Sequence, residues 1–399
     1  MRRMSSALLV AALCACSEEP EPTQPTLEAQ LQAKPNKEIH YEITKLPTLG
    51  GSVSLGTSIN NRGWVAGFSN ETGNATRVAT LWRNGEIIPL GTLDGPNSSV
   101  QWPGLSNNGY IVGISQTSVA DSLGEDWSCS SFIPNTGRVC LGFFYDDGGM
   151  HALPTLGGTH GFATGVNSRG QVVGWAETTF RDPTCNEEEG NQVLQFRAVM
   201  WTPRKGGKKE LPPLPGHSTS AATAINERGQ VVGIAGECDL AVGRFSARES
   251  VLWEDGKPIR IPNLGGQSWH TPMAINNAGD VVGFSNPAGD PNGEFIPHAF
   301  FWSRKRGLID LKLFDGHDFS QAFGINARRQ VVGRSCLGSA CLAVLWEDGR
   351  MIDLNKRVDL EEGDVLTSAR HINDRGEITG SLFEGSTRRT IAFVATPIR

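Results

Sequence analysis

The stretch Ala224-Ile225-Asn226-Glu227-Arg228-Gly229-Gln230-Val231-Val232-Gly233 decides the fold, because it returns with small variations along nearly the whole chain. Seven copies are legible: Ile59-Asn60 to Gly67, Leu105-Ser106 to Gly113, Val166-Asn167 to Gly174, the quoted copy, Ile275-Asn276 to Gly283, Ile325-Asn326 to Gly333 and Ile372-Asn373 to Gly380. Self-similarity at a near-constant period signals a repeat architecture, which overrides the two or three domains that length alone would suggest. The copies are numbered here as repeats 1 to 7.

The unit has the chemistry of a tight β-hairpin. An apolar residue precedes an Asn, whose side chain can fold onto the backbone two residues on, and a Gly follows three positions after the Asn. A short hairpin loop built on a type I turn needs a residue with φ > 0 at that point, which Gly adopts without a Cβ clash. Val-Val-Gly then leads out as a β-branched, buried strand. Downstream of each turn stands an apolar-aromatic pair: Leu81-Trp82, Met200-Trp201, Leu252-Trp253, Phe301-Trp302 and Leu345-Trp346, with Phe144-Tyr145 and Phe393-Val394 as variants. A leucine-rich turn follows, as in Leu153-Pro154-Thr155-Leu156-Gly157-Gly158. Each repeat therefore reads as four short strands, A to D.

Asn-to-Asn spacings of 46, 61, 59, 50, 50 and 47 residues, counting Ser106 as the second, fit one array of such sheets. The ends are complementary: Ile43 to Gly51 reads as a D strand and its turn with no A, B or C before it, and Thr390 to Thr396 as a C strand with no D after it. An N-terminal strand that completes the last sheet would close a ring and remove exposed edges. The expected fold is all-β: a seven-bladed β-propeller of four-stranded blades over residues 39–399, with residues about 41–47 beside residues about 390–396.

The joint pattern of Leu-Gly-Gly, Ile-Asn-x-x-Gly and Val-Val-Gly, with His298-Ala299-Phe300 ahead of Trp302, resembles the HAF family of probable extracellular repeats, which is named for that His-Ala-Phe run. The resemblance spans most of the chain and implies repeat architecture and extracellular location. It brings no established activity with it.

Residues 1–15 read as a signal peptide: Arg2 and Arg3 precede an apolar run too short to cross a bilayer. Leu13-Cys14-Ala15-Cys16 resembles a bacterial lipobox, which would make Cys16 the lipidated first residue of the mature chain. By the same resemblance, Ser17 after it favours the outer membrane. Residues 16–38 are acidic and Pro-rich, with too little apolar surface to offset the entropy of ordering them, and read as a disordered tether. The remaining six cysteines suit an oxidising compartment; sequence proximity pairs Cys129 with Cys140 and Cys336 with Cys341, leaving Cys185 for Cys238. The formal net charge of −6 and the lack of a basic patch with interleaved aromatics argue against nucleic acid. The basic run Arg204 to Lys209 reads as a solvated hairpin tip. No second segment could span a membrane, so the lipid is the expected membrane contact, and the protein is expected to be a monomer.

Function is sought in what the repeats do not share. In a propeller the B–C and D–A loops emerge at one end, and the A–B and C–D turns at the other. The A–B turns are uniform, while the B–C loops vary, longest at 114–142 and 175–197, as expected of a binding surface. The same end collects Trp102, His160, Phe162, His217, Trp269, His270, His317 and Phe319, which suit sugar rings or peptide side chains. The competing reading is that these aromatics plug the channel mouth or pack under the long loops. No catalytic residues and no metal ligands stand out, and no cofactor is expected; the nearest approach is the alternation Asp290, Asn292, Glu294 around Gly293, which resembles a calcium loop without its full pattern. The expected function is a surface-tethered, non-catalytic propeller that recognises an extracellular glycan or protein through this loop end. The alternative is a polysaccharide-active hydrolase or lyase at the same end, which needs two carboxylates within roughly 5–10 Å.

Two local exceptions carry further expectations. Arg329 replaces the turn Gly of the other six copies and should hold φ > 0, so that Arg329→Gly would stabilise slightly. His371 stands where the other repeats have Ser58, Gly104, Gly165, Ala224, Ala274 and Gly324, and either contributes a polar group to a central ligand site or fills space at the closure seam.

Overall fold

The computed structural model describes residues 38–125, 127–185, 192–238, 246–289 and 296–398. Cys16 and the candidate calcium ligands Asp290, Asn292 and Glu294 lie outside the described residues.

The described chain is all-β, apart from a one-turn helix at Trp127–Ser130 and two short 3-10 turns. Repeats 2 to 6 each form a four-stranded antiparallel meander, at residues 94–152, 157–211, 219–261, 271–310 and 319–353. Repeat 1, at 50–89, and repeat 7, at 365–398, belong to one composite sheet, joined by a single parallel pair, Val53 with Thr390. The strand His40–Lys45 lies antiparallel on the outer edge of repeat 7, with His40 opposite Ile398 and Lys45 opposite Phe393. That is the pairing expected from the complementary ends. Tyr41 and Leu46 are buried there, and the Lys45 ammonium sits 2.7 Å from Glu361, 2.8 Å from Asp364 and 3.1 Å from Glu384. The result is a propeller-like arrangement of four-stranded sheets.

The repeated Asn explains how the sheets register with one another. In repeat 4 the Asn226 Oδ1 accepts from the backbone N–H groups of Arg228 and Gln230, both at 3.0 Å, which fixes the turn. Its Nδ2 donates to Gln230 Oε1 at 2.8 Å and, at 3.0 Å, to the carbonyl of Asn276 in the next repeat. The same forward bond runs from Asn60 to Ser106 O, Asn167 to Asn226 O, Asn276 to Asn326 O, Asn326 to Asn373 O and Asn373 to Asn60 O, at 2.9–3.2 Å. Ser106 cannot extend an amide toward Asn167; there Asn108 Nδ2 reaches Ser168 O at 2.7 Å instead. One side chain thus closes its own turn and reaches its neighbour, so the turns of successive repeats share one end of the molecule.

Two further elements tie the sheets together. The Trp of the third strand donates its indole N–H to the carbonyl that ends the preceding repeat's outer strand: Trp82 to Pro47, Trp201 to Pro154, Trp253 to Pro212 and Trp346 to Leu311, at 2.7–3.0 Å. The innermost strands of repeats 1 and 3 to 7 each carry a register shift immediately ahead of the turn, for example between Ala222 and Ala224 and between Ala369 and His371. A bulge re-aims one side chain, and at this position Thr57, Thr164 and Thr223 donate to inner-strand carbonyls of the next repeat. The Leu-Gly-Gly signature differs from expectation in one respect. In repeats 1 and 3 its glycines begin the innermost strand, at Gly50 and Gly157, instead of forming a turn ahead of it. Their backbones approach the second strand so closely that a Cβ on Gly51 would meet the Asn70 carbonyl oxygen at 2.5 Å.

Arg329 holds φ +64° and makes the same turn bond to the Asn326 carbonyl as its glycine counterparts. Its guanidinium also reaches back to the side chain of Asp280, at 2.8 Å. Disulfides join Cys129 to Cys140, Cys185 to Cys238 and Cys336 to Cys341, as sequence proximity suggested.

Candidate functional site

At the end opposite the Asn turns, the B–C loop of repeat 2, residues 121–137, folds back across the inner strands. Its Phe132 carbonyl accepts from Arg77 of repeat 1 at 2.8 Å and from Gln101 at 2.9 Å, and its ring packs edge-on against Phe162 with 4.8 Å between centroids. Beneath it lies an apolar cluster drawn from repeats 2 to 6, including Trp102, Ile114, Phe162, Trp175, Met273, Phe284 and Phe323. Trp102 and Phe162, expected as ligand contacts, are 7% and 0% exposed in this cluster. Phe162 also packs against Trp175 at 4.8 Å.

The histidines follow the same pattern. His160 is 2% exposed; its Nδ1 accepts from the Cys140 backbone N–H at 3.1 Å, and its Nε2 lies 3.3 Å from Asp121 Oδ2. Glu177 accepts from the His160 and Thr159 N–H groups at 2.7 and 2.9 Å and from Gln192 Nε2 at 3.0 Å. Glu125 reaches across from the repeat 2 loop to the Val193 and Leu194 N–H groups of the repeat 3 loop. Burial alone would lower the His160 pKa, but the Asp121 carboxylate and then the Glu177 charge outweigh it and hold it above its ordinary value. Burial and the nearby Glu177 push Glu125 upward, against the pull of the two backbone amides. This group of acid and base side chains is sealed: Glu125 and Glu177 are 0% and 2% exposed. Its bonds pin two long loops to the sheets beneath them. Cys129, Cys140 and His160 form the one close group of possible metal donors among the described residues, yet both sulfurs are already joined to each other.

His270 is fully buried, with Nδ1 2.8 Å from Ser285 Oγ and Nε2 3.0 Å from the Gly266 carbonyl; burial pushes its pKa down to about 4. Trp269, at φ +63°, packs edge-on against Phe284. His317 binds Ser335 Oγ at 2.9 Å and packs on Phe314, while Phe319 lies under the Arg334 guanidinium. The His217 N–H donates to the Leu214 carbonyl in a tight turn. These groups are held in separate local contacts, and the structure does not converge them on one cleft.

His371 lies apart from them. It lines a recess of about 150 Å³ at the Asn-turn end, together with Asn60, Asn226, Asn276 and Asn373. Its Nδ1 is 3.0 Å from the Ile59 carbonyl oxygen and 3.1 Å from the Ile59 nitrogen, so it bridges repeats 7 and 1. Burial pushes its pKa down to about 4, against the opposing pull of the Ile59 carbonyl. Both expectations for this residue are thus represented in its surroundings: it borders the recess and it bonds to backbone across the seam.

The side chains left open at the loop end are ones the sequence reading passed over. Val119, Leu123, Phe180 and Leu337 are 59%, 41%, 69% and 55% exposed, and all sit in or beside the B–C loops of repeats 2, 3 and 6. Among the described residues the only other large apolar side chain so exposed is Ile398, at the end of the last strand. The signal for Phe180 was present: an aromatic in the polar run Glu177-Thr178-Thr179-Phe180-Arg181, where the second strand outruns that of repeat 4.

No protein-family model matches the chain, and no curated protein matches it. Among solved structures, the acylaminoacyl peptidase of Pyrococcus horikoshii is similar at 10% identity and TM-score 0.46, over 88% of this chain and 53% of the peptidase. A catalytically inactive virginiamycin B lyase from Staphylococcus aureus, in complex with quinupristin, aligns at 12% identity and TM-score 0.47, over 90% of this chain and 100% of the lyase. Porphyromonas gingivalis dipeptidyl peptidase 4 aligns at 11% identity and TM-score 0.38, over 84% and 51%. The chain spans about half the length of the peptidase chains it matches.

Proposed function

We propose that this chain is a seven-bladed β-propeller, closed by its N-terminal strand, that acts as a lipid-anchored recognition module of the HAF-repeat type at the outer membrane and binds an extracellular glycan or protein through its B–C and D–A loop end. The observation that carries the binding reading is the placement of exposed apolar side chains. Val119, Leu123, Phe180 and Leu337 stand in water in or beside the B–C loops, whereas the Asn-turn end is built of amides satisfied by one another. Exposed apolar groups gathered at one end of a soluble body mark interaction surfaces. Closure draws its support from the Asn373 to Asn60 bond and from the edge strand on repeat 7.

The alternative, a polysaccharide hydrolase or lyase, needs accessible paired carboxylates. At the loop end Glu125 and Glu177 with His160 are buried under backbone amides, and the carboxylates of Glu361, Asp364 and Glu384 are held in ion pairs by the Lys45 ammonium, which favours recognition over turnover. The test is a glycan array and a crosslinking pull-down from envelope and medium, run beside a polysaccharide-degradation screen. Phe180→Ser and Val119→Ser should abolish capture of the ligand found with the wild type while leaving the melting temperature unchanged. Turnover of any polysaccharide by the purified protein overturns the reading.

A further inference from the structure

The apolar cluster around the inner strands is interrupted on one side. The residue that follows Val-Val-Gly is Phe68, Ile114, Trp175, Ile234 and Phe284 in repeats 1 to 5, buried in every case, but Arg334 in repeat 6. The residue at the inner-strand bulge is Thr57, Thr164, Thr223, Met273 and Phe323 in repeats 1 and 3 to 6, but Arg370 in repeat 7. Two cations thus replace small or apolar groups at neighbouring inward positions. Both guanidinium groups lie against the ring of Phe323, Arg370 at 4.2 Å and Arg334 at 5.6 Å from its centroid. Phe323 itself belongs to the central cluster and is 4% exposed.

Charge balance is the unusual feature. Arg334 forks onto the Gln321 side-chain oxygen through Nε at 2.9 Å and Nη2 at 2.7 Å, a neutral acceptor. Among the described residues no carboxylate pairs with either arginine, and the nearest charge to Arg370 that matters is the like charge of Arg334. Burial, and then that repulsion, push the Arg370 guanidinium down to about 9. A ring face offsets part of the desolvation of a cation, but it supplies no counter-charge. Both side chains are half-buried rather than sealed. A planar fork with open donors, as in Arg370, binds carboxylate, sulfate or phosphate through two parallel bonds, and Arg334 adds a second positive charge against the same ring.

We infer that Arg334 and Arg370 form an oxyanion-binding site on the inner strands of repeats 6 and 7, which takes the carboxylate, sulfate or phosphate group of a small acidic ligand. The site is separate from the exposed apolar surface of the B–C loops and does not depend on it. Phe323 forms its floor, Gln321 fixes the orientation of the Arg334 fork, and Arg370 supplies the donors that lack a protein acceptor.

The test is titration calorimetry of the full mature chain with D-glucuronate, inorganic sulfate and inorganic phosphate, at fixed pH and fixed ionic strength in sodium chloride. Saturable binding is expected for at least one of the three, weakened tenfold or more by Arg370→Met and by Arg334→Met. Arg370→Lys, which keeps the charge and loses the fork, should weaken it severalfold. Glucuronate alone would identify an acidic sugar as the ligand class, and binding of all three a general oxyanion site. Phe180→Ser should leave these affinities unchanged, which separates this site from the loop surface. Absence of saturable heat from all three anions overturns the inference, as does undiminished affinity in folded Arg370→Met. Should that variant not fold, unchanged affinity in both Arg334→Met and Arg370→Lys overturns it equally.

Discussion

The two ends of this molecule solve the same problem differently. At the turn end six of the seven repeats apply one device, an Asn that closes its own hairpin and bonds forward to the next repeat. At the loop end the long B–C connections of repeats 2 and 3 share no such device. Repeat 2 uses a disulfide and a folded-back loop, repeats 2 and 3 share a buried network around His160 and Glu177, and repeats 3 and 4 are joined through Cys185 and Cys238. Where the physics is local and repeated, every copy carries the same residues; where it is tertiary, each copy is different and the surface is free to diversify.

The largest test of this contrast removes the closing strand. Deleting residues through Lys45 strips Tyr41 and the edge pairing from repeat 7 and exposes the strand Arg389–Ile398. The loss of stability should be on the order of 3–6 kcal/mol, counting buried side chains and ladder bonds, with a fall of the whole unfolding transition in a calorimetric scan. A truncated chain that melts unchanged would break the closed-ring reading.

Next comes the Asn itself. Asn226→Ala removes four hydrogen bonds, two within the turn and two from its Nδ2, and should cost about 2–4 kcal/mol in urea unfolding. The reciprocal substitution, Ser106→Asn, supplies the missing amide toward Asn167 and should stabilise by about 1 kcal/mol. A destabilised Ser106→Asn would show that repeat 2 has left the common scheme for a reason of its own.

Protonation distinguishes individual histidines. The folded pKa values of His270 and His371, both about 4, lie below the ordinary value of about 6.5, so the folded state binds fewer protons than the unfolded chain. The stability they contribute is present above pH about 6.5 and is lost as pH falls toward 4. For His270, enclosed on all sides, the loss should amount to about 2–3 kcal/mol. His160 has the opposite sign: its raised pKa gives stability that is present below its unfolded value and lost as pH rises through the folded one. Urea denaturation from pH 4 to 8 should therefore show a rising curve that flattens below pH about 6.5 in His270→Asn and is steeper above it in His160→Asn. No change of slope in His270→Asn would mean that the buried imidazole takes up its proton as it does in the unfolded chain.

The smallest effect concerns Arg329. Left-handed backbone at a non-Gly residue costs about 1 kcal/mol, but the side chain compensates through its ion pair with Asp280, whose carboxylate is 3% exposed. The slight stabilisation expected of Arg329→Gly from turn geometry alone is therefore replaced by a net change within about 1 kcal/mol of zero, since strain and pair are lost together. Arg329→Ala keeps the strain and loses the pair, so it should be the less stable of the two in the same urea series. Equal stabilities would show that φ is not strained there.

The architecture was legible because its signals are short-range. The Asn, the turn Gly and the Trp recur at positions fixed by the hairpin, and the strand His40–Lys45 was recognisable as the complement of an unfinished final repeat. Arg329 was legible for the same reason, but its partner Asp280, 49 residues earlier, was not. The candidate site was less legible. Trp102, His160 and Phe162 are buried, as in the reading that packs such residues under the long loops, but nothing within a few positions of them tells a covered residue from an open one. Val119 and Phe180 fall within the long B–C connections read from the sequence, but only the structure shows that their strands run on to residues 120 and 181 and leave both side chains exposed.

The forward direction of the Asn bonds also has a consequence in time. Where repeats dock in chain order, Asn226 keeps an unfilled donor until Asn276 is in place, and Asn276 in turn awaits Asn326. Asn373 alone points back to residues made first, at Asn60. The strand His40–Lys45, earliest of the described strands to appear, stays unpaired until the strand Arg389–Ile398 is complete. Before that pairing it is a lone β-edge, and the charges of Glu42 and Lys45 disfavour casual pairing. Lys45 is afterwards reused to clasp Glu361, Asp364 and Glu384. Assembly therefore has a last step that no earlier one can substitute for, and a molecule interrupted before it would carry an open seam at both ends of its chain.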